Sequence, residues 1–237
     1  MSKDVSVVRQ PSGPNGTRAS DDSTVAKAYQ ALATAIRDGE FHPNQRLVEN
    51  ELTERLGVSR ATLRAVFTRL HQEDYIVVEH NKGARVRAFT VDEALEILQT
   101  REILEGAAAG LAAGRITDDE LRHLEEILTD MRVAASDRDG ARYSKLNRRF
   151  HEVVVQASRQ PTLIKFIKIT PYPLVMRQFR NAQTVHPRTG SLEEHQAIFS
   201  ALVVRNAVAA EATMRFHVSS ARRALTLAGA DTAAFAE

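Results

Sequence analysis

The sequence predicts a mostly α-helical protein in two parts: an N-terminal winged helix-turn-helix and a C-terminal all-α antiparallel bundle. Three observations carry this. Apolar residues recur at spacings of three and four over most of the 237 residues. The period turns to a β pattern at only two neighbouring places, Tyr75–Glu79 and Ala84–Ala88. The composition, 43% hydrophobic and 26% charged, is that of a chain able to bury a core.

Residues 1–23 are polar and broken by Pro11, Gly13, Pro14 and Gly16, and read as a flexible arm. A helical face begins at Thr24 with Val25, Ala28, Leu32 and Ile36, and Gly39 and Pro43 close it. A short helix over Glu49–Leu56 follows, interrupted by Gly57. Ser59 offers a new N-cap, and Arg60–Gln72 carries Leu63, Val66, Phe67 and Leu70 on one side. Two short helices across Gly57-Val58-Ser59 form a helix-turn-helix. The two β segments, joined by His80-Asn81-Lys82-Gly83, form its wing. Residues 24–88 are thus the first domain.

From Thr90 the pattern is helical. Thr90 and Glu93 form a capping box, as do Thr117 and Glu120. The first long helix, to about Ala113, is rich in Ala and Gly, which suits a central position with close neighbours. Further helices are expected to Ser136, over Ala141–Ala157, and from Leu163 to Arg180, where Pro171 and Pro173 should kink or split the helix. A loop at 181–190 precedes two last helices, Ser191–Arg205 and Asn206–Leu227. The bundle therefore occupies 89–228, and 229–237 reads as a frayed tail.

Composition excludes several chemistries. The chain has no Cys, so it has no disulfide, no thiol nucleophile and no thiolate metal site. No window of 18 apolar residues suggests a membrane span, and Met1-Ser2-Lys3-Asp4 leads into no signal-like apolar run. A cytoplasmic location is the expectation. Charge is nearly balanced, yet the excess lies in residues 1–88, with 13 Arg/Lys against 11 Asp/Glu, while the rest holds 19 against 19. A nucleic-acid partner would meet the first part.

The second helix of a helix-turn-helix presents its N-terminal residues to the major groove. Here these are Ser59, Arg60, Ala61, Thr62 and Arg64. Arg60 and Arg64 share a face, and arginine is the side chain that reads guanine bidentately. Ser59 and Thr62 suit phosphate oxygens. Lys82, Arg85 and Arg87 put positive charge on the wing. Two arginines on a helix would be an ordinary solvated face; the turn and the adjacent hairpin set this pair apart.

Three of the eight histidines invite a metal reading. His151 lies one turn after Asn147, and His195 and His217 fall on two later helices flanked by apolar residues. Imidazole binds divalent metals without thiolate help, and ligands can converge from different helices. Each histidine alone would pass for a hydrogen-bonded helix residue. With oxygen and nitrogen donors only, three histidines also raise a metal-dependent hydrolase. No His-Glu-x-x-His string supports it, since Val153, Val154 and Val155 follow Glu152.

Residues 32–87 resemble the DNA-binding domain of the GntR family of bacterial transcription regulators. The matching string is Ile36-Arg37-Asp38-Gly39, Pro43, Arg46-Leu47, Glu51-Leu52, Leu56-Gly57-Val58-Ser59-Arg60, Leu63-Arg64, Arg69-Leu70 and Gly83-Ala84-Arg85-Val86. Asn44 stands where the pattern has Gly, Ala65 replaces its acidic residue, and Thr62 its Pro. The Thr62-Leu63-Arg64 form is similar to the FadR subfamily. The resemblance implies DNA contacts from Asn50, Ser59, Arg60, Ala61, Thr62 and Arg64, and from the wing tip His80, Asn81, Lys82 and Gly83.

Residues 91–228 are similar to the FCD effector-binding domain, through Arg101, Leu104-Glu105, Ala108-Ala109 and Leu111-Ala112. That resemblance implies metal ligands at Asn147, His151, His195 and His217. Asn147 departs from the family's Asp and removes a charge, which puts zinc or nickel ahead of manganese. It also implies an anionic effector, a small organic acid, contacted by Arg101; an Arg101–Glu105 ion pair is the alternative use of that arginine. The expected protein is a homodimeric regulator, most simply a repressor, on a palindromic operator of double-stranded DNA, with no catalytic residues. An architectural DNA-binding protein, with a structural metal or none, is the competing reading.

Overall fold

The computed structural model describes the backbone of residues 16–79, 83–179 and 188–234. The chain divides into two compact units, 1–86 and 87–237.

In the first unit, α1 (Gly16–Asp38) packs on α3 (Arg60–Gln72), with α2 (Glu49–Leu56) beside it. Leu32, Ile36, Leu63, Val66, Leu70 and Ile76 are almost wholly enclosed. Each such side chain contributes roughly 1.5–3 kcal/mol by leaving water. The α2–α3 turn needs a left-handed residue, and Gly57 supplies it at φ 64°. Ser59 then caps α3 by accepting from the Thr62 amide at 3.1 Å. Leu63, Val66, Phe67 and Leu70 face the core, as their spacing predicts.

The wing is a three-stranded antiparallel sheet in the order β1-β3-β2. Strands β2 (Ile76–Glu79) and β3 (Gly83–Val86) pair Ile76 with Val86 and Glu79 with Gly83. Strand β1 (Arg46–Leu47) adds Leu47 opposite Ala84. Two residues are too short for any alternation to show, so the sequence pattern revealed the hairpin and not its third strand. Asn44, at the position where the family pattern has Gly, sits at φ 62°. Asparagine is among the few residues that tolerate this left-handed conformation, so the departure preserves the turn.

The second unit is all helix. It runs α4 (Val91–Ala113), α5 (Asp118–Ser136), α6 (Gly140–Ala157), α7 (Pro161–Ile169), α8 (Tyr172–Gln178), α9 (Arg188–Val203) and α10 (Ala207–Ala234). Both capping boxes form, at Thr90/Glu93 and Thr117/Glu120. Helix α4 is central, with Ala108, Ala109, Ala112 and Ala113 fully buried and α10 along its length. Gly106 and Gly110 permit that approach: a β-carbon on Gly106 would lie 2.5 Å from Arg215 Cγ, and one on Gly110 3.3 Å from the Ala207 carbonyl oxygen. Leu124, Leu128, Met131, Phe150, Ile198 and Met214 fill the core around it.

Helix boundaries depart from the sequence pattern at both ends of the chain. Helix α1 starts at Gly16, eight residues before Thr24 and inside the segment read as an arm. Polar residues such as Ser20 and Asp21 lack an apolar period but do not forbid helix. Helix α10 continues to Ala234, past the tail boundary at 229, through Ala-rich chain that favours helix without an apolar stripe. The helix expected at 163–180 is split, as its prolines predict, into α7 and α8 at Thr170-Pro171, because Pro171 cannot donate to the preceding turn.

Candidate functional site

The bundle gathers the three histidines. His151 comes from α6, His195 from α9 and His217 from α10, all buried. One ring nitrogen from each lies within 4.8 Å of those of the others. Each ring is held from behind. His151 Nδ1 is 2.5 Å from Glu105 Oε2, and His217 Nδ1 is 2.8 Å from Glu194 Oε2. His195 Nδ1 is 2.6 Å from the Ser191 carbonyl oxygen, one turn earlier on its own helix. An acceptor at Nδ1 holds the proton there, so Nε2 carries the lone pair in each ring.

Two of those lone pairs meet. His151 Nε2 and His217 Nε2 are 3.1 Å apart. With both protons on Nδ1, neither can donate to the other, and a cation between them relieves the conflict. Tetrahedral nitrogen ligands about 2.0–2.1 Å from one ion stand about 3.3–3.4 Å from each other, so the spacing is close to that of a shared divalent metal. Burial, and then the neighbouring Arg101 charge, pushes His151 down to about 3, which keeps it in the neutral form a metal requires. Asn147 lies one turn before His151 on α6 and is half-buried.

Arg101 sits one turn before Glu105 on α4, buried, and forms an ion pair with it. The Arg101–Glu105 pair, one of two readings of that arginine, is therefore present. Its guanidinium also lies 4.1 Å from the centre of the Tyr172 ring on α8, while Arg101 Nε has no hydrogen-bond partner among the described residues. One carboxylate thus serves both Arg101 and His151. Sequence reasoning named Glu105 only as a possible mate for Arg101 and passed over Glu194 and Tyr172. Glu194 directly precedes His195, yet it braces His217, and no spacing along the chain shows that.

The first unit brings together Asn50 and Arg60. Arg60 Nη2 donates to Asn50 Oδ1 at 3.1 Å, across the turn from α3 to α2. Asn50, Ser59, Arg60, Ala61 and Arg64 are exposed, and Thr62 is half-buried with its hydroxyl 2.9 Å from that of Ser59. Gly83 opens β3, exposed, at φ 84°. His80, Asn81 and Lys82 lie outside the described residues.

A winged helix-turn-helix with an exposed arginine pair, followed by a helical domain with a buried polar centre, defines a DNA-binding transcription regulator with a separate sensory domain. Comparison with known proteins agrees. The model of bacterial regulatory proteins of the gntR family matches residues 24–86, and that of the FCD domain matches 96–220. The chain belongs to the GntR family of transcriptional regulators, with an FCD-type C-terminal domain. The Nta operon transcriptional regulator of Aminobacter aminovorans is 30% identical over 165 residues, covering 70% of this chain and 77% of that one. The HTH-type transcriptional repressor RspR of Escherichia coli is 26% identical over 190 residues, covering 80% and 83%. The solved structure of E. coli McbR/YncC shares the fold, with a TM-score of 0.75 at 20% identity, covering 86% of this chain and 97% of that one. The relatives are regulators and not enzymes, so the hydrolase reading falls. No helix among the described residues is long and apolar enough to cross a membrane.

Proposed function

We propose that this protein is a ligand-responsive repressor of the FadR subfamily, which binds a palindromic operator as a homodimer. A two-fold dimer would present two copies of α3 about one DNA turn apart. Arg60 and Arg64 read base edges. Asn50, Ser59, Ala61 and Thr62 line the backbone beside them, and Gly83, with His80, Asn81 and Lys82 outside the described residues, would add contacts from the wing. Related proteins named as repressors support the sign of regulation.

The helical domain is the sensor. His151, His195 and His217 would hold a divalent metal, zinc or nickel ahead of manganese, with Asn147 as a neutral oxygen donor. The metal would offer a small organic acid a Lewis-acidic anchor. Arg101 would receive the acid's carboxylate in exchange for part of its contact with Glu105. Binding there changes operator affinity by the difference in acid affinity between the DNA-competent and DNA-released states. One observation carries this reading: three buried imidazoles meet with their Nδ1 atoms already engaged. An architectural protein with a structural metal is the competing use of such a centre, and operator affinity that changes with an added organic acid separates the two.

The test is a gel-shift titration on the protein's own promoter region, with metal content measured on the same preparation. The expected outcome is operator binding that Arg60→Ala weakens about 10-fold or more at moderate salt, with bound metal near one per chain. Unchanged operator affinity in the Arg60→Ala protein would sink the DNA assignment. A metal-free preparation that takes up no added Zn²⁺ or Ni²⁺ would sink the sensor assignment.

A further inference from the structure

We infer that Glu194 is a positioning residue for the histidine centre and supplies, from behind His217, negative charge that Asn147 does not bring. The inference rests on the metal reading above and goes a step past it. Three imidazoles and an amide are all neutral, so a divalent ion there would keep its full double charge inside a buried site. A charge of that kind in a low-dielectric interior is costly without a counter-charge. Two carboxylates stand directly behind the ligands, Glu105 on His151 at 2.5 Å and Glu194 on His217 at 2.8 Å. Both are well sheltered, with side-chain exposures of 1% and 11%.

The two carboxylates do different work. Glu105 also pairs with the guanidinium of Arg101, so it anchors a neighbouring side chain of its own helix as well as His151. Glu194 is on α9 beside His195 and reaches across to α10, fixing the ring of one ligand from the helix that carries another. A carboxylate accepting Nδ1–H makes the opposite nitrogen a stronger donor and locks the ring's rotation. Charge and orientation thus have one source, and substitution can separate them. Glutamine can still accept from Nδ1–H but carries no charge; alanine does neither.

The experiment titrates Zn²⁺ against a chromophoric chelator at pH 7.5 in the full-length protein, wild type and variants. Glu194→Gln is expected to weaken Zn²⁺ binding about 10–100-fold, the usual effect of losing such a partner. Glu194→Ala should weaken it at least as much. Asn147→Asp, which returns a charge to the ligand sphere, should recover much of the loss when added to Glu194→Gln. A merely structural role would lower the melting temperature of the metal-free protein and would not be rescued by Asn147→Asp. Wild-type affinity in Glu194→Gln would overturn the inference, as would failure of Asn147→Asp to restore binding. If the wild type itself binds no Zn²⁺, the underlying metal reading fails instead, and the two failures are told apart in one titration.

Discussion

His151 Nε2 and His217 Nε2 face each other at 3.1 Å in the interior of the helical unit, each ring backed by a carboxylate on its other nitrogen. Two neutral rings that both carry the proton on Nδ1 cannot hydrogen-bond to each other through Nε2. If the backing carboxylates hold the Nδ1 protons, two lone pairs meet; if His151 takes a second proton, a buried imidazolium stands near Arg101. A divalent cation removes both difficulties, so the stability of the unit should depend on it.

Metal removal is therefore expected to lower the melting temperature. A ligand present at 100 times its dissociation constant stabilises the folded state by about 2.7 kcal/mol. Dialysis against a chelator should produce a clear downward shift in a thermal melt, reversed by Zn²⁺ or Ni²⁺. In His217→Ala the chelator-dependent shift should largely vanish. An equal chelator effect in that variant would place the metal elsewhere.

The start of α4 is expected to weaken in acid. Thr90 accepts from the Glu93 amide, and Glu93 returns a bond to the Thr90 amide at 2.9 Å. That backbone donor, aided by Arg87, holds the Glu93 carboxyl below its ordinary value. A carboxyl whose folded value is depressed stabilises above its unfolded value, about 4.3, and loses that contribution as pH falls through the folded one. Urea titrations should show Glu93→Ala less stable than wild type at pH 7, with the gap narrowing well below pH 4. Thr90→Ala removes the cap itself and should cost about 1 kcal/mol. A gap between wild type and Glu93→Ala that does not change with pH would remove the carboxylate's charge from the account.

What was legible in the sequence was whatever is local. Gly57 and Ser59 announce the turn before α3, Thr90 and Thr117 announce two helix starts, and Leu63, Val66, Phe67 and Leu70 announce one buried face, because each signal spans a few residues. The three histidines were legible as types on apolar helices, and their convergence had to come from packing α6, α9 and α10 together. Glu194 was not legible, since its partner is 23 residues away and its neighbour His195 offered a simpler use for it. Strand β1 escaped for a related reason: two residues pair with β3 only because the wing returns beside them.

Gly106 tests the close packing of α4 and α10. Alanine favours helix over glycine by about 1 kcal/mol. Against this, the new β-carbon would fall 2.5 Å from Arg215 Cγ and 3.0 Å from its Nε. Arg215 would have to leave the position in which it pairs with Glu211 at 2.8 Å. Overpacking of this kind costs about 1–3 kcal/mol, so Gly106→Ala should be net destabilising by up to about 2 kcal/mol in a denaturant titration. A more stable protein would show that helix propensity outweighs the contact.

The Asn50–Arg60 bond makes a prediction that separates positioning from reading. Arg60 is exposed, and a free arginine samples many rotamers that must be given up on binding. Its bond to Asn50 Oδ1 at 3.1 Å limits those rotamers before DNA arrives. Loss of an arginine that reads a guanine costs about 1–3 kcal/mol and relaxes sequence preference at one base pair. Loss of Asn50, which steadies it and meets the DNA only at its backbone, should cost less and keep the same preference. Asn50→Ala is therefore expected to weaken operator binding by a few-fold at fixed salt, while Arg60→Ala weakens it about 10-fold or more and flattens the preference at one position of each half-site. Competition gel shifts against operators with single base-pair changes measure both. If Asn50→Ala alters the preference at a base pair that Arg60→Ala leaves alone, Asn50 itself reads a base, and the bond to Arg60 is secondary.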